Sequence, residues 1–194
     1  MTKGLRPATA AAAATALAGA AVVGYGLVVR GDLVVDTGLG RRLHPLGPLA
    51  VDIAAPRDVV FDVIAEPYLG RLTRAMAEKV EVVERGTDMV LAAHRTKVGW
   101  GLVSTTVETV RFERPDKVAF RLLRGPVPYV VEAFYLADVG DGATRLSYTG
   151  ELGADFGPLG EWWGRKVART WVGTVAASFD SVRDEAERRA AADA

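Results

Sequence analysis

Two histidines, His44 and His94, are the only side chains that titrate unaided near neutrality in this chain of 194 residues, which has no cysteine. His94 shares strand parity with Val90, Ala92, Thr96, Val98 and Trp100, whereas Arg95 and Lys97 point the other way, so His94 faces inward. Two readings stay open for it: a hydrogen-bonded interior histidine, or a general base or ligand-orienting group. Glu66, beside Pro67-Tyr68, is either a solvated helix-end carboxylate or part of an entrance. Glu108, Arg111, Arg121, Arg124 and Glu132 fall on three successive strand-like runs, where cross-strand ion pairing on the outer sheet face accounts for them. Binding an anionic head group is the alternative. There is no G-x-S-x-G elbow, no phosphate-binding Gly-Lys-Ser/Thr loop and no H-E-x-x-H, and Gly38-Leu39-Gly40 does not continue into a dinucleotide fingerprint. Two histidines without cysteine make a multi-histidine metal centre improbable, and no metal or cofactor is expected.

Charge narrows the classes further. The chain is formally neutral, yet residues 1–30 hold Lys3, Arg6 and Arg30 and no acid, so the other 164 residues carry 21 basic and 24 acidic side chains. A weakly acidic body has no electrostatic reason to bind nucleic acid. Asn and Gln are absent, so polar contacts must come from Ser, Thr, Tyr, Trp, His and charged groups. The excess of Arg over Lys, with abundant Ala, Gly and Val, suggests a bacterial source.

Residues Ala8 to Val29 are 22 positions without a charge, about 33 Å as a helix. Ten are Ala and only six Leu or Val, so the segment is marginal by hydropathy. Three readings follow for residues 1–30: a single-pass membrane anchor, a cleaved signal with Ala18-Gly19-Ala20 at its cleavage site, or an Ala-rich helix packed on the domain. The flanking charges slightly favour the domain outside the cytoplasm. Residues 31–46 read as a connector, with Leu33-Val34-Val35 as a short strand.

The domain is expected over 47–190. A strand at Leu49–Ile53 ends before Pro56, and Val59, Val60, Val63 and Ile64 recur at helical spacing until Pro67. A second short helix is expected at Tyr68–Ala75. Six period-two runs follow: Val80/Val82, Val90–Trp100, Leu102–Phe112, Val118–Leu123, Val130–Val139 and Arg145–Leu152. Finally Leu159, Trp163, Val167, Trp171, Val175, Phe179 and Val182 form one apolar stripe, beside a row of small residues that includes Gly160, Gly164 and Ala168. Strands grouped between helices argue for an α+β fold with an antiparallel sheet.

This order resembles the helix-grip fold of the SRPBCC superfamily, which includes the StAR-related (START-like) and birch-pollen-allergen-like proteins and the polyketide cyclase/dehydrase group. Val51-Asp52-Ile53-Ala54-Ala55-Pro56 through Val59-Val60-Phe61-Asp62-Val63 is similar to its strand-to-helix stretch, and Gly142-Ala143-Thr144-Arg145-Leu146 to its last hairpin. The match looks like the membrane-associated actinobacterial branch. The resemblance implies a sheet of about seven strands wrapped on the C-terminal helix, with an apolar cavity between them for a lipid, polyketide or similar molecule. Tyr68, His94, Trp100, Tyr135, Tyr148, Trp162, Trp163 and Trp171 are the candidate walls, with Trp171 where core meets ligand, Trp163 beside an opening, and Phe179 and Val182 as ordinary core. The expected function is a membrane-tethered binding or carrier domain for a hydrophobic small molecule. The alternatives are a polyketide cyclase or dehydratase using His94 or a Tyr in acid–base work, and a ligand-free assembly or partner-binding module.

Overall fold

The computed structural model describes residues 7–70 and 74–192. Residues Pro7–Arg30 are helical (α1). There follow β1 (Arg42–Ile53), α2 (Arg57–Leu69), α3 (Arg74–Ala77), β2 (Val80–Arg85), β3 (Met89–Lys97), β4 (Val103–Glu113), β5 (Lys117–Arg124), β6 (Tyr129–Gly140), β7 (Ala143–Ala154) and α4 (Pro158–Ala192). The seven strands form one antiparallel sheet in the order β1-β7-β6-β5-β4-β3-β2. Helices α2 and α4 cover one face of it, here called the inner face. The architecture is the α+β helix grip with two short helices after the first strand.

Several local expectations need correction. β1 begins at Arg42, inside the stretch expected as connector. It carries a register shift between Leu46 and Leu49, so Gly47-Pro48 marks a bulge in a long strand and not its start. Leu33–Val35 is not a strand. Pro67 lies within α2, where it forfeits one hydrogen bond in the final turn, so Tyr68 and Leu69 end α2; of the helix expected at Tyr68–Ala75, residues 71–73 lie outside the described residues, and α3 covers Arg74–Ala77. β3 stops at Lys97, and Trp100 belongs to a single 3-10 turn. Lys3 and Arg6, the basic flank of the expected anchor, lie outside the described residues. Among the described residues no helix is long and apolar enough to cross a membrane.

The long helix buries a different stripe in its first half. Leu159 is exposed, whereas Gly160, Gly164 and Ala168 are buried. A Cβ on Gly160 would stand 1.8 Å from the Asp155 carbonyl oxygen, and one on Gly164 2.6 Å from the His44 ring. The small-residue row therefore lets α4 press onto β1 and the end of β7, and it leaves no opening there. Further along, Val175 and Phe179 take over the buried face.

Asp155, at the turn into α4, pins the segment before β1. Its Oδ2 accepts from the Thr37 and Gly38 amides at 2.7 and 2.8 Å and from the Thr37 hydroxyl at 3.1 Å, while Arg41 Nε donates to Oδ1 at 2.7 Å. Arg41 and these amides hold its carboxyl well below the usual carboxylate range. Asp155→Asn removes the charge from these bonds and should cost about 2 kcal/mol. A depressed carboxylate stabilises fully above its unfolded-state value, so the gap between wild type and variant in urea unfolding should begin to narrow only as the pH falls below about 4 and go on narrowing until the folded carboxyl is itself protonated.

Candidate functional site

On the inner face, period-two alternation brings one side chain from each of several strands into a common layer. Val110 stands opposite Phe120, Phe120 opposite Glu132, and Phe134 opposite Tyr148. Ring contacts run through this layer: Tyr68 to Phe120 at 6.0 Å, Phe120 to Phe134 at 5.6 Å, and Phe134 to Tyr148 and Phe179 at 5.4 and 5.9 Å. Between this aromatic row, α2 and the second half of α4 lies a cavity of about 160 Å³. Val63, Ile64 and Tyr68 line it from α2, Phe120, Phe134 and Leu146 from the sheet, and Ser178, Phe179 and Val182 from α4.

Two hydrogen-bonded groups sit in this otherwise apolar layer. In the first, the Tyr68 hydroxyl lies 2.9 Å from His94 Nε2, and His94 Nδ1 lies 3.3 Å from Glu108 Oε2. Glu108 is almost wholly buried. A carboxylate 3.3 Å from Nδ1 favours a proton on that nitrogen, which leaves Nε2 to exchange a proton with the Tyr68 oxygen. In the second, the Tyr148 hydroxyl and Trp171 Nε1 both donate to Glu132 Oε2, the indole at 2.6 Å. Gly150 faces Glu132 across the β6–β7 ladder, and a Cβ there would come within 2.6 Å of the Glu132 Cβ, so glycine makes the room the carboxyl occupies.

The two groups are coupled by charge. Burial, then the neighbouring Glu108 carboxylate, push the Glu132 carboxyl up to about 7, against the opposing pull of the Tyr148 and Trp171 hydrogen bonds. Burial and the same carboxylates push the Tyr68 and Tyr148 phenols far up, so both keep their protons. Glu132 is thus a carboxyl that can hold or lose a proton near neutrality, and Tyr68 is a phenol at the cavity wall that stays protonated.

Of the residues singled out from sequence, Tyr68, His94, Tyr148 and Trp171 come together here. Tyr135 does not: it is on the outer face, with the Lys117 ammonium 5.9 Å from its ring centroid, because its parity is opposite to that of Phe134. Trp163 also stands apart, donating from Nε1 to the Pro126 carbonyl at 2.8 Å and meeting the Tyr25 ring edge-on at 5.9 Å. Trp162 is exposed. The Trp100 side chain lies outside the described residues. Phe179 and Val182 are cavity lining as well as core. Glu66 pairs with Arg189 of α4 at 2.5 Å.

Glu108 and Glu132 were expected on the outer face among arginines, and the structure overturns this. Within β4 Glu108 and Arg111 are three residues apart and so point to opposite faces, and Glu132 of β6 stands across from Phe120 of β5, on the face opposite to that of Arg121. Arg124 instead donates to the Gly31 carbonyl and pairs with Asp32. Among the described residues no group of three or more His, Asp or Glu side chains is placed to hold a metal ion.

Comparison with known proteins agrees with this architecture. The fold is similar to the Zhui aromatase/cyclase of Streptomyces sp. R1128, at 21% identity and a TM-score of 0.62 over 77% of this chain and 95% of that one. It is also similar to the di-domain aromatase/cyclase BexL of the BE-7585A biosynthetic pathway, at 18% identity and a TM-score of 0.55, where 78% of this chain spans half of the other. Norcoclaurine synthase from Thalictrum flavum matches at 14% identity and a TM-score of 0.53, over 74% of this chain and 85% of that enzyme. No curated protein matches the sequence. A family model described as polyketide cyclase/dehydrase and lipid transport matches residues 49–187, which take in every strand after the β1 bulge, the cavity and both hydrogen-bonded groups. The chain belongs to the polyketide cyclase/dehydrase and lipid-transport family.

Proposed function

We propose that this protein binds an apolar molecule, or a ring-sized part of one, in the cavity and performs acid–base chemistry of the cyclase or dehydratase kind on it. The observation that carries the reading is the Tyr68–His94–Glu108 chain, because its phenolic end is cavity wall and its carboxylate end is buried. When His94 is protonated, Tyr68 can give its proton to a ligand oxygen and recover one from His94 Nε2. That leaves His94 neutral, its remaining proton on Nδ1 facing Glu108. Run forwards, the relay activates a carbonyl for ring closure or helps a hydroxyl leave as water. Run backwards, it withdraws a proton. Burying ionisable groups is costly, and a passive carrier needs none of them.

Size limits what enters. Catalogued ligand pockets run to roughly 300–1,000 Å³, whereas a dry cavity of about 150 Å³ holds one benzene ring. A carrier remains the second reading, because the lining is apolar and Tyr68, held protonated by burial, would serve equally to orient a bound carbonyl.

Cyclohexanone is a probe of suitable size. In deuterated buffer the protein should speed exchange of its α-protons, followed by proton NMR, and Tyr68→Phe should remove about 10²-fold or more of that acceleration. Exchange no faster than in buffer, with cyclohexanone shown to bind by shifts in the protein spectrum, would leave only the carrier.

A further inference from the structure

At the opposite end of α4 from the cavity, about 30 Å from it at 1.5 Å per residue, large apolar side chains point into solvent. Leu39 is 67% exposed, Phe156 47%, Leu159 66% and Trp162 59%. They are neighbours by construction. The Phe156 and Gly157 amides donate to the Leu39 and Gly40 carbonyls at 2.8 and 3.0 Å, and Asp155 clamps both loops through Thr37, Gly38 and Arg41. Leu159 and Trp162 follow within one turn of α4. Phe156 holds φ at +73°, where a side chain of this bulk is strained and glycine is not. A strained backbone that turns a phenyl ring outward is a feature packing does not call for.

The surroundings identify the partner. Trp162, Lys166 and Arg169 succeed one another at helical spacing, so cations stand directly behind the apolar tip. The Lys166 ammonium lies 5.5–5.8 Å from the ring centroids of Tyr25, Trp162 and Trp163. Of the nearby carboxylates, Glu161 is paired with Arg165, and Asp36 and Asp155 share Arg41. Tyr25 joins the patch to the exposed Val22, Val23 and Leu27 of α1. An apolar tip rimmed by tryptophan and backed by cations is suited to the headgroup boundary of an anionic bilayer, which needs no shape complementarity. We infer that Leu39, Phe156, Leu159 and Trp162 form a lipid-surface docking tip, with Lys166 and Arg169 meeting the phosphates.

The test is co-sedimentation of the full chain with vesicles of three parts phosphatidylcholine to one part phosphatidylglycerol. Phe156→Gly with Trp162→Ala should weaken binding on the order of tenfold while thermal stability holds or rises, because glycine relieves the strained φ. Lys166→Glu should weaken binding to these vesicles and leave binding to pure phosphatidylcholine unchanged. The inference is overturned if the wild type stays in the supernatant, or if the double variant sediments like wild type. It is also overturned if sedimentation without lipid shows a dimer that the double variant lacks, since a second copy would then be the occupant.

Discussion

Phe179→Ala is expected to lower the unfolding free energy by about 3–5 kcal/mol, a large loss for a single domain of this size. The residue is 6% exposed, its ring meets that of Phe134 in a tilted contact at 5.9 Å, and with Val182 it closes the cavity from the α4 side. Truncation forfeits its transfer free energy and extends a space of about 160 Å³ that the packed layer cannot refill. Urea unfolding followed by tryptophan fluorescence measures the loss directly. Added benzene should restore part of it, since a ligand that binds only the folded state stabilises by mass action. A loss under 1 kcal/mol would mean that the layer collapses around the missing ring and that the cavity is not rigid.

Trp171 supplies the contrast. It is partly exposed, and its contribution is a hydrogen bond to Glu132 as well as contact. The expectation from sequence, that Trp171 marks where core meets ligand and Phe179 is plain core, is thus only half of the arrangement. Phe179 bounds the cavity, while Trp171 bounds the polar layer beside it. The stripe on α4 placed both residues on one line, but it carried no information about which strand residue each would meet.

Much of the architecture follows from local signals. Period-two alternation between turn residues located β3 to β7 within a few positions, and the four-then-three spacing located α4. What was misread had other causes. Gly47-Pro48 looks like a strand stop, yet in β1 it is a bulge held by pairing to β7, a partner about a hundred residues away. The Asp155 clamp joins residues 114–118 apart and leaves no local trace. The buried carboxylates are a different case, because their signal was present. In β6, Val130, Glu132, Phe134 and Leu136 share a parity, and in β4 so do Thr106, Glu108 and Val110. A lone acid on the apolar parity is the mark of an interior ionisable group. Nearness in sequence to Arg111 and Arg121 concealed it.

That interior acid leads to the second large effect, which depends on pH. Glu132 titrates at about 7 in the folded protein, against an ordinary value of 4.5. Below 4.5 both states are protonated and the carboxyl contributes no penalty. Between 4.5 and 7 the unfolded chain has lost its proton while the folded chain retains one, so stability falls as the pH rises; above 7 the penalty is constant. At 1.36 kcal/mol for each tenfold change in proton affinity, the full penalty is about 3 kcal/mol. Glu132→Gln mimics the protonated acid and keeps an oxygen for Tyr148 and Trp171. The variant should therefore match wild type at pH 4.5 and exceed it by about 3 kcal/mol at pH 8. Taking the difference between the two proteins at each pH cancels the other carboxylates, Asp155 among them, whose dependence has the opposite sign. A difference that does not change with pH would show Glu132 to be an ordinary carboxylate. If the difference grows as expected, the chain maintains at neutral pH a half-ionised acid among aromatic rings. Packing alone gives no reason to keep it there, whereas the proton transfer proposed for the adjoining cavity would.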